Sequence, residues 1–130
     1  MPILDTTFLV DLIRGREVAL EMLSDLEEKS VPLFTTPITV LELYRGAHLS
    51  ANPEKNLEIA KNILAALIVS PLDDEACQVF GALSARLKSD GKMIGEFDEV
   101  IASIALCHDG EIVTRDKHFL EVPGLRVLGY

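Results

Sequence analysis

Four of the chain's 21 acidic residues stand where placement points to chemistry rather than solvation: Asp5, Glu42, Asp98 and Asp116. Asp5 closes the short apolar run Pro2 to Leu4, and Asp116 follows the run Glu111 to Thr114 by two residues. Glu42 sits among apolar residues in Val40-Leu41-Glu42-Leu43-Tyr44, and Asp98 opens the apolar periodic segment Glu96 to Cys107. If these side chains meet, four like charges raise one another's pKa unless a cation neutralises them. An all-oxygen ligand set suits hard cations, Mg²⁺ or Mn²⁺, rather than zinc, which prefers the His and Cys that are absent at ligand spacing. Phosphate is the natural co-ligand of such a site, so the reaction class implied is phosphodiester hydrolysis.

For the four to meet, the elements that carry them must share an edge, and the periodicity predicts this. Short apolar runs at Pro2 to Leu4, Val31 to Thr35, Ile68 to Val69, Glu111 to Thr114 and Leu125 to Leu128 read as strands. Between them, helical spacing is read up to Gly15, over Glu17 to Lys29, Thr36 to Leu49, Asn52 to Leu67, Asp73 to Ser89 and Glu96 to Cys107. Thr36-Pro37 and Asn52-Pro53 have the cap-then-proline form of helix starts. Inward-facing residues are expected at Leu20, Leu23 and Leu26 in the second helix, and at Phe97, Val100, Ile101, Ile104 and Ala105 in the sixth. Strands separated by helices imply right-handed crossovers and a parallel sheet, hence a three-layer α/β/α fold with five strands in one domain over 1–130. A parallel sheet delivers every strand's C-terminal end to one edge, where residues remote in sequence converge.

Each acid also has a plain structural reading. Asp5 could cap the first helix, Asp98 could complement the positive end of the sixth, Glu42 could pair with Arg45 at i+3, and Asp116 could initiate a turn carrying Lys117 and His118. Singly those readings win; jointly the metal site does.

Composition excludes several classes. The net charge of −9 argues against gripping nucleic acid through overall basicity, so RNA binding would need bound cations, a local basic patch or a partner surface. Arg14, Arg16, Arg45, Lys92, Arg115 and Lys117 are the candidates to hold an RNA backbone. No apolar run approaches the ~20 residues that cross a bilayer, and the N-terminus lacks a basic region and an apolar stretch, so a cytoplasmic protein is expected. Cys77 and Cys107 lack a paired spacing and are expected as small buried residues of helices. Mean hydropathy of +0.27 is high for so acidic a chain and suggests a sheet covered on both faces, an oligomer interface, or both.

The chain resembles PIN domains, specifically the VapC toxins of toxin-antitoxin pairs. The resemblance is carried by Ile3-Leu4-Asp5-Thr6-Thr7, Thr39-Val40-Leu41-Glu42-Leu43, Ile94-Gly95-Glu96-Phe97-Asp98-Glu99-Val100-Ile101-Ala102, and Val113-Thr114-Arg115-Asp116 with His118-Phe119. These occur in order and at suitable spacing over nearly the whole length. The resemblance implies a homodimer with Mg²⁺- or Mn²⁺-dependent endoribonuclease activity, restrained by a small VapB-like antitoxin. By position it makes Asp5, Glu42 and Asp98 the acids around the metal, with Asp116 fourth, at a position often occupied by Asn. Thr6 or Thr7 and Thr114 match polar residues that support the site, and Thr7 stands where the family commonly has Asn or Ser. A disordered antitoxin segment is expected to lie near Leu9, Leu12, Ile13, Leu43 and Ala47, with an Arg or Lys reaching the acids. Part of the dimer interface is expected on the helices Thr36 to Leu49 and Pro53 to Leu67.

Competing readings fit less well. A haloacid-dehalogenase-type phosphatase needs a second acid two residues after the first, where Thr7 stands. A response-regulator receiver needs paired acids at strand one, and Asp5 is single. A non-catalytic module of the same fold, or a PIN nuclease of RNA processing rather than a toxin, are the alternatives within the family.

Overall fold

A computed structural model describes residues 1–130. The first apolar run forms β1 (Ile3–Leu4), followed by α1 (Thr6–Ile13) and α2 (Glu17–Glu28). Next come β2 (Phe34–Thr35), α3 (Pro37–Leu49), α4 (Pro53–Ala65), β3 (Ile68–Val69), α5 (Asp74–Ser89), α6 (Glu96–Cys107), β4 (Glu111–Val113) and β5 (Arg126–Leu128). A 3₁₀ turn, Lys117–Glu121, lies between β4 and β5. Helix starts follow from their caps: Thr36 Oγ1 accepts from Thr39 N at 3.1 Å, Asn52 Oδ1 from Lys55 N at 3.3 Å and Asp73 Oδ1 from Ala76 N at 2.9 Å. No helix is long and apolar enough to cross a membrane.

All strand pairs are parallel, in the order β3-β2-β1-β4-β5. The expected five-stranded sheet is therefore present, with β1 between β2 and β4 at the point where the chain reverses direction across the sheet. Alternation along each strand builds two cores. Ile3 and Ile112 face a cluster with Leu83 and Leu87 of α5 and Ile101 and Ala105 of α6. Leu4 and Val113 face the opposite cluster, with Phe8 and Leu9 of α1, Leu26 of α2 and Ala60 of α4. Helix α3 serves both, through Ile38 in the first and Leu43 in the second.

Several expectations need correction. Strand two begins at Phe34, not Val31, because Pro32 lacks the donor that a strand paired on both sides requires. Helix α2 buries Ala19 and Leu26, with Met22 and Leu23 packed beside them, so its stripe leaves Leu20 47% exposed. Phe97, in the first turn of α6, is 41% exposed rather than internal, with the Arg45 guanidinium over its ring. Cys77 is exposed and Cys107 half-buried, so neither is a core residue.

The 3₁₀ turn fixes the chain just beyond β4. Phe119 is fully buried in the core beneath it, while Asp116 Oδ1 caps it by accepting from His118 N at 2.9 Å. Phe119→Ala is expected to lower the unfolding free energy by about 3–5 kcal/mol, measured by urea denaturation.

Candidate active site

The strand register alone brings two site residues together. With Leu4 opposite Val113, Asp5 follows β1 as Thr114 follows β4, and Asp5 N donates to Val113 O at 3.1 Å. Asp5 occupies the cap position of α1 but its side chain makes no capping bond. Its buried carboxylate instead takes Thr114 Oγ1 at 2.7 Å and Thr7 Oγ1 at 3.1 Å, both on Oδ2. The two hydroxyls are themselves 3.0 Å apart. Burial pushes the Asp5 carboxyl above its ordinary range, hydrogen bonds led by Thr114 pull it part of the way back, and Glu42 raises it further.

Glu42 is oriented by a second hydroxyl set. Thr6 Oγ1 donates to Glu42 Oε1 at 2.7 Å and lies 3.1 Å from Thr39 Oγ1, which is in turn 3.3 Å from Thr36 Oγ1. Arg45 does not pair with Glu42; its guanidinium lies over the Phe97 ring, 5.7 Å from the centroid.

Asp98 enters from the first turn of α6. Burial raises its carboxyl to about 6, and the charges of Asp116, Asp5 and Glu42 add to the rise while His118 opposes it. The other three acids are therefore close enough to act on Asp98. Carboxylate oxygens of Asp98 and Asp116 and a ring nitrogen of His118 lie within 4.8 Å of one another, with His118 Nδ1 3.1 Å from Asp116 Oδ1. Asp116 thus performs the turn-initiating role and also faces Asp98. His118 and Thr39 were not singled out as site residues in the sequence; the signal for His118 is the Asp-x-His spacing across one tight turn.

The cationic candidates divide. Arg16 and Arg115 both bond Asp11, Lys92 pairs with Glu121 at 3.4 Å, and Arg45 is occupied by Phe97. Arg14 lines a groove of about 360 Å³ between α1, α3 and α4, walled by Val10, Ile13, Leu43 and Ala47 with Glu42 among its lining. Leu9 is fully buried, and Leu9 and Leu12 line a separate recess toward α2, so the expected groove residues are reduced to Ile13, Leu43 and Ala47.

As a donor set, the carboxylates fit a hard divalent cation: they are oxygen ligands from four places in the fold, the other three charges raise the Asp98 carboxyl, and hydroxyl donors fix the orientation of Asp5 and Glu42. The stability consequence for the metal-free protein has a definite sign. Asp98 lies at about 6 against an ordinary 3.8, so the folded form holds a proton that the unfolded chain has released between those values. The stabilisation is complete below the lower value and lost as pH rises through the upper. Asp98→Asn, neutral throughout, is expected to raise the thermal midpoint at pH 7–8 without divalent metal by an amount equivalent to about 1 kcal/mol, allowing for partial exposure. At about pH 4, where the native carboxyl is already protonated, the gain should vanish in the same calorimetric scan.

Residues 3–125 match the family model described as PIN domain. The chain is 35% identical over 124 residues to Ribonuclease VapC2 of Haemophilus influenzae, covering 95% of this chain and 92% of that protein. It is 33% identical over 91 residues to the tRNA(fMet)-specific endonuclease VapC of Salmonella typhimurium, covering 69% of each. Among solved structures it superposes on VapBC2 of Rickettsia felis bound to a promoter DNA fragment with a TM-score of 0.90 at 25% identity, covering 98% of this chain and 97% of the other. DNA-bound VapBC of Salmonella typhimurium gives 0.87 at 27%, covering 99% and 98%.

Proposed function

The chain belongs to the PIN-domain family and, within it, to the VapC ribonucleases, and we propose that it is a divalent-metal-dependent endoribonuclease toxin whose catalytic carboxylates are Asp5, Glu42, Asp98 and Asp116. The observation that carries the site assignment is that three of these, Asp5 at the end of β1, Glu42 on α3 and Asp116 beyond β4, all act electrostatically on the fourth, Asp98 of α6. Those residues would hold Mg²⁺ or Mn²⁺, which when bound supplies charge neutralisation at the phosphate and an acidified water.

The chain's own residues prepare that chemistry. Thr114 and Thr7 both place their hydroxyls on Asp5 Oδ2, which fixes the orientation of that carboxylate. Thr6 holds the Glu42 carboxylate of α3 against α1. Positioning of this kind is worth about 10–100-fold in metal affinity or activity when lost. The Asp116 carboxylate is held by His118 N and lies in hydrogen-bonding range of the ring Nδ1.

On this reading Asp5→Asn and Asp98→Asn each reduce Mn²⁺-dependent RNA cleavage by at least about a hundredfold, while Asp116→Asn retains more activity, since the family often carries Asn at that position. Cleavage of a labelled RNA by proteins with native circular dichroism measures this, and full activity of Asp98→Asn would remove its assigned role.

The partner follows from the same family. Solved relatives are VapBC complexes, and the groove beside Glu42 suits an apolar antitoxin segment ending in an Arg whose planar guanidinium pairs with a carboxylate. Stepwise truncation of the antitoxin's C-terminal tail is expected to restore RNA cleavage before it dissolves the complex. Inhibition that survives complete loss of the tail contradicts this mode of control.

A homodimer is proposed with part of its interface on α3, where Leu41 is 55% and Leu49 79% exposed. Sedimentation should give twice the chain mass at tens of micromolar; a monomer there overturns the dimer. A cytoplasmic location, where RNA is the available substrate, belongs to the same proposal.

A further inference from the structure

The least expected feature of the fold is a fully buried carboxylate outside the acidic cluster. Asp11, on α1, is 0% exposed. Its Oδ2 takes Arg115 Nε at 2.6 Å and Tyr130 Oη at 2.7 Å, and its Oδ1 lies 3.3 Å from an Arg115 terminal nitrogen and 3.2 Å from Arg16 Nε. Burying a carboxylate costs several kcal/mol unless its lone pairs are filled by such charge-assisted bonds. Here the bonds depress its pKa despite the burial.

One carboxylate with two guanidinium groups carries a net positive charge, in a chain whose overall charge is −9. The two cations repel, and Asp11 engages only Nε of Arg16 and Nε with one terminal nitrogen of Arg115. Both side chains remain about half exposed, Arg16 at 53% and Arg115 at 48%, so each turns unsatisfied N–H donors to solvent at a fixed place. A bridging anion would complete the charge balance and use the planar donor forks together.

The location gives the anion its identity. Arg115 lies between Thr114, which donates to Asp5, and Asp116, whose N donates to Thr114 Oγ1 at 3.0 Å. Arg115 N itself lies 3.4 Å from Thr7 Oγ1. Beyond it opens a recess of about 380 Å³ lined by Arg115, Lys117, Leu120 and Tyr130, in which Lys117 adds a third cation and Leu120, 66% exposed, an apolar wall. A polyanion approaching the acidic cluster therefore meets its cations here, one residue away along the chain.

We propose that Arg16 and Arg115, anchored as a pair on Asp11, bind an internucleotide phosphate of the RNA substrate adjacent to the one cleaved. Asp11 is then a positioning residue, and Tyr130 tethers the last strand to it. This rests on the nuclease reading, and its test separates the two.

The experiment has two arms. In the first, Mn²⁺-dependent cleavage of a single-stranded RNA of roughly 12 nucleotides is followed across a salt series for the native protein, Arg16→Gln, Arg115→Gln and Tyr130→Phe. Arg16→Gln leaves Asp11 bonded to Arg115 and Tyr130 and is the variant least exposed to misfolding, which a thermal scan checks. It is expected to raise KM about tenfold, leave kcat within about twofold, and flatten the dependence of log KM on log salt by about 0.7, the increment for one phosphate contact on a single strand. Tyr130→Phe removes a bond to Asp11 but no charge, so its midpoint falls while the salt slope stays native.

In the second arm, fluorescence anisotropy of the same RNA is compared for Asp98→Asn and Asp98→Asn with Arg16→Gln, where cleavage does not intervene. Arginine-dependent RNA binding without any cleavage by the native protein upholds the clamp and removes the nuclease reading. Cleavage with KM and salt slope unchanged in folded Arg16→Gln and Arg115→Gln overturns the clamp and leaves the nuclease reading standing. If those variants lose antitoxin affinity instead, the pair belongs to the protein interface and the RNA assignment is overturned.

Discussion

Like-charge repulsion among four carboxylates at one sheet edge is the constraint around which this structure is built. A parallel sheet gathers strand ends without cost in topology, but it does nothing to make negative charges compatible. The fold answers with neutral donors. Thr7 and Thr114 act on Asp5, and Thr6 with Thr39 acts on the Glu42 side. Hydroxyls orient the acids without neutralising them, so the remaining repulsion is left for a cation to relieve. Asp98 receives no such donor; burial first, and then the charges of Asp116, Asp5 and Glu42, raise its carboxyl to about 6.

The same economy links core packing to the site. In β1 and β4, neighbouring residues alternate between two separate cores, Ile3 and Ile112 on one face, Leu4 and Val113 on the other. A slip of one residue would invert both faces, so burial fixes the register that sets Asp5 beside Thr114. Immediately outside the acids, the Asp11 cluster reverses the sign of charge. Arg115 is bound into it while its neighbours Thr114 and Asp116 belong to the acidic site. Opposite charge patterns are thus interleaved along three consecutive residues, Thr114 to Asp116.

Much of this was legible in the sequence because it rests on periodicity. The alternation of short apolar runs with helical stripes predicted the sheet, and the Thr36-Pro37 and Asn52-Pro53 caps appear where read. The four acids stood out because each interrupts or ends an apolar run. What stayed hidden depends on long-range contact. Asp11 has the look of a polar residue on a surface face of α1, and nothing local reveals partners 104 and 119 residues away. Phe97 and Leu20 fit helical stripes, yet stripe position alone does not say which of its residues a packed helix leaves exposed. A turn opened by Asp116 was legible from the residue type, but its 3₁₀ extent was not, because one tight turn has no period; Phe119 is held in it by the core and Asp116 by local main-chain bonding.

The central claim is that the four carboxylates form one divalent-cation site. Crystals soaked in Mn²⁺ and measured at its absorption edge test it directly. The account predicts a strong anomalous peak at the C-terminal edge of the sheet, about 2.0–2.3 Å from oxygens of Asp5 and Asp98, with Glu42 and Asp116 either coordinating or bonded to its waters. A peak only at other surface acids, or none at a concentration that supports RNA cleavage, would contradict it.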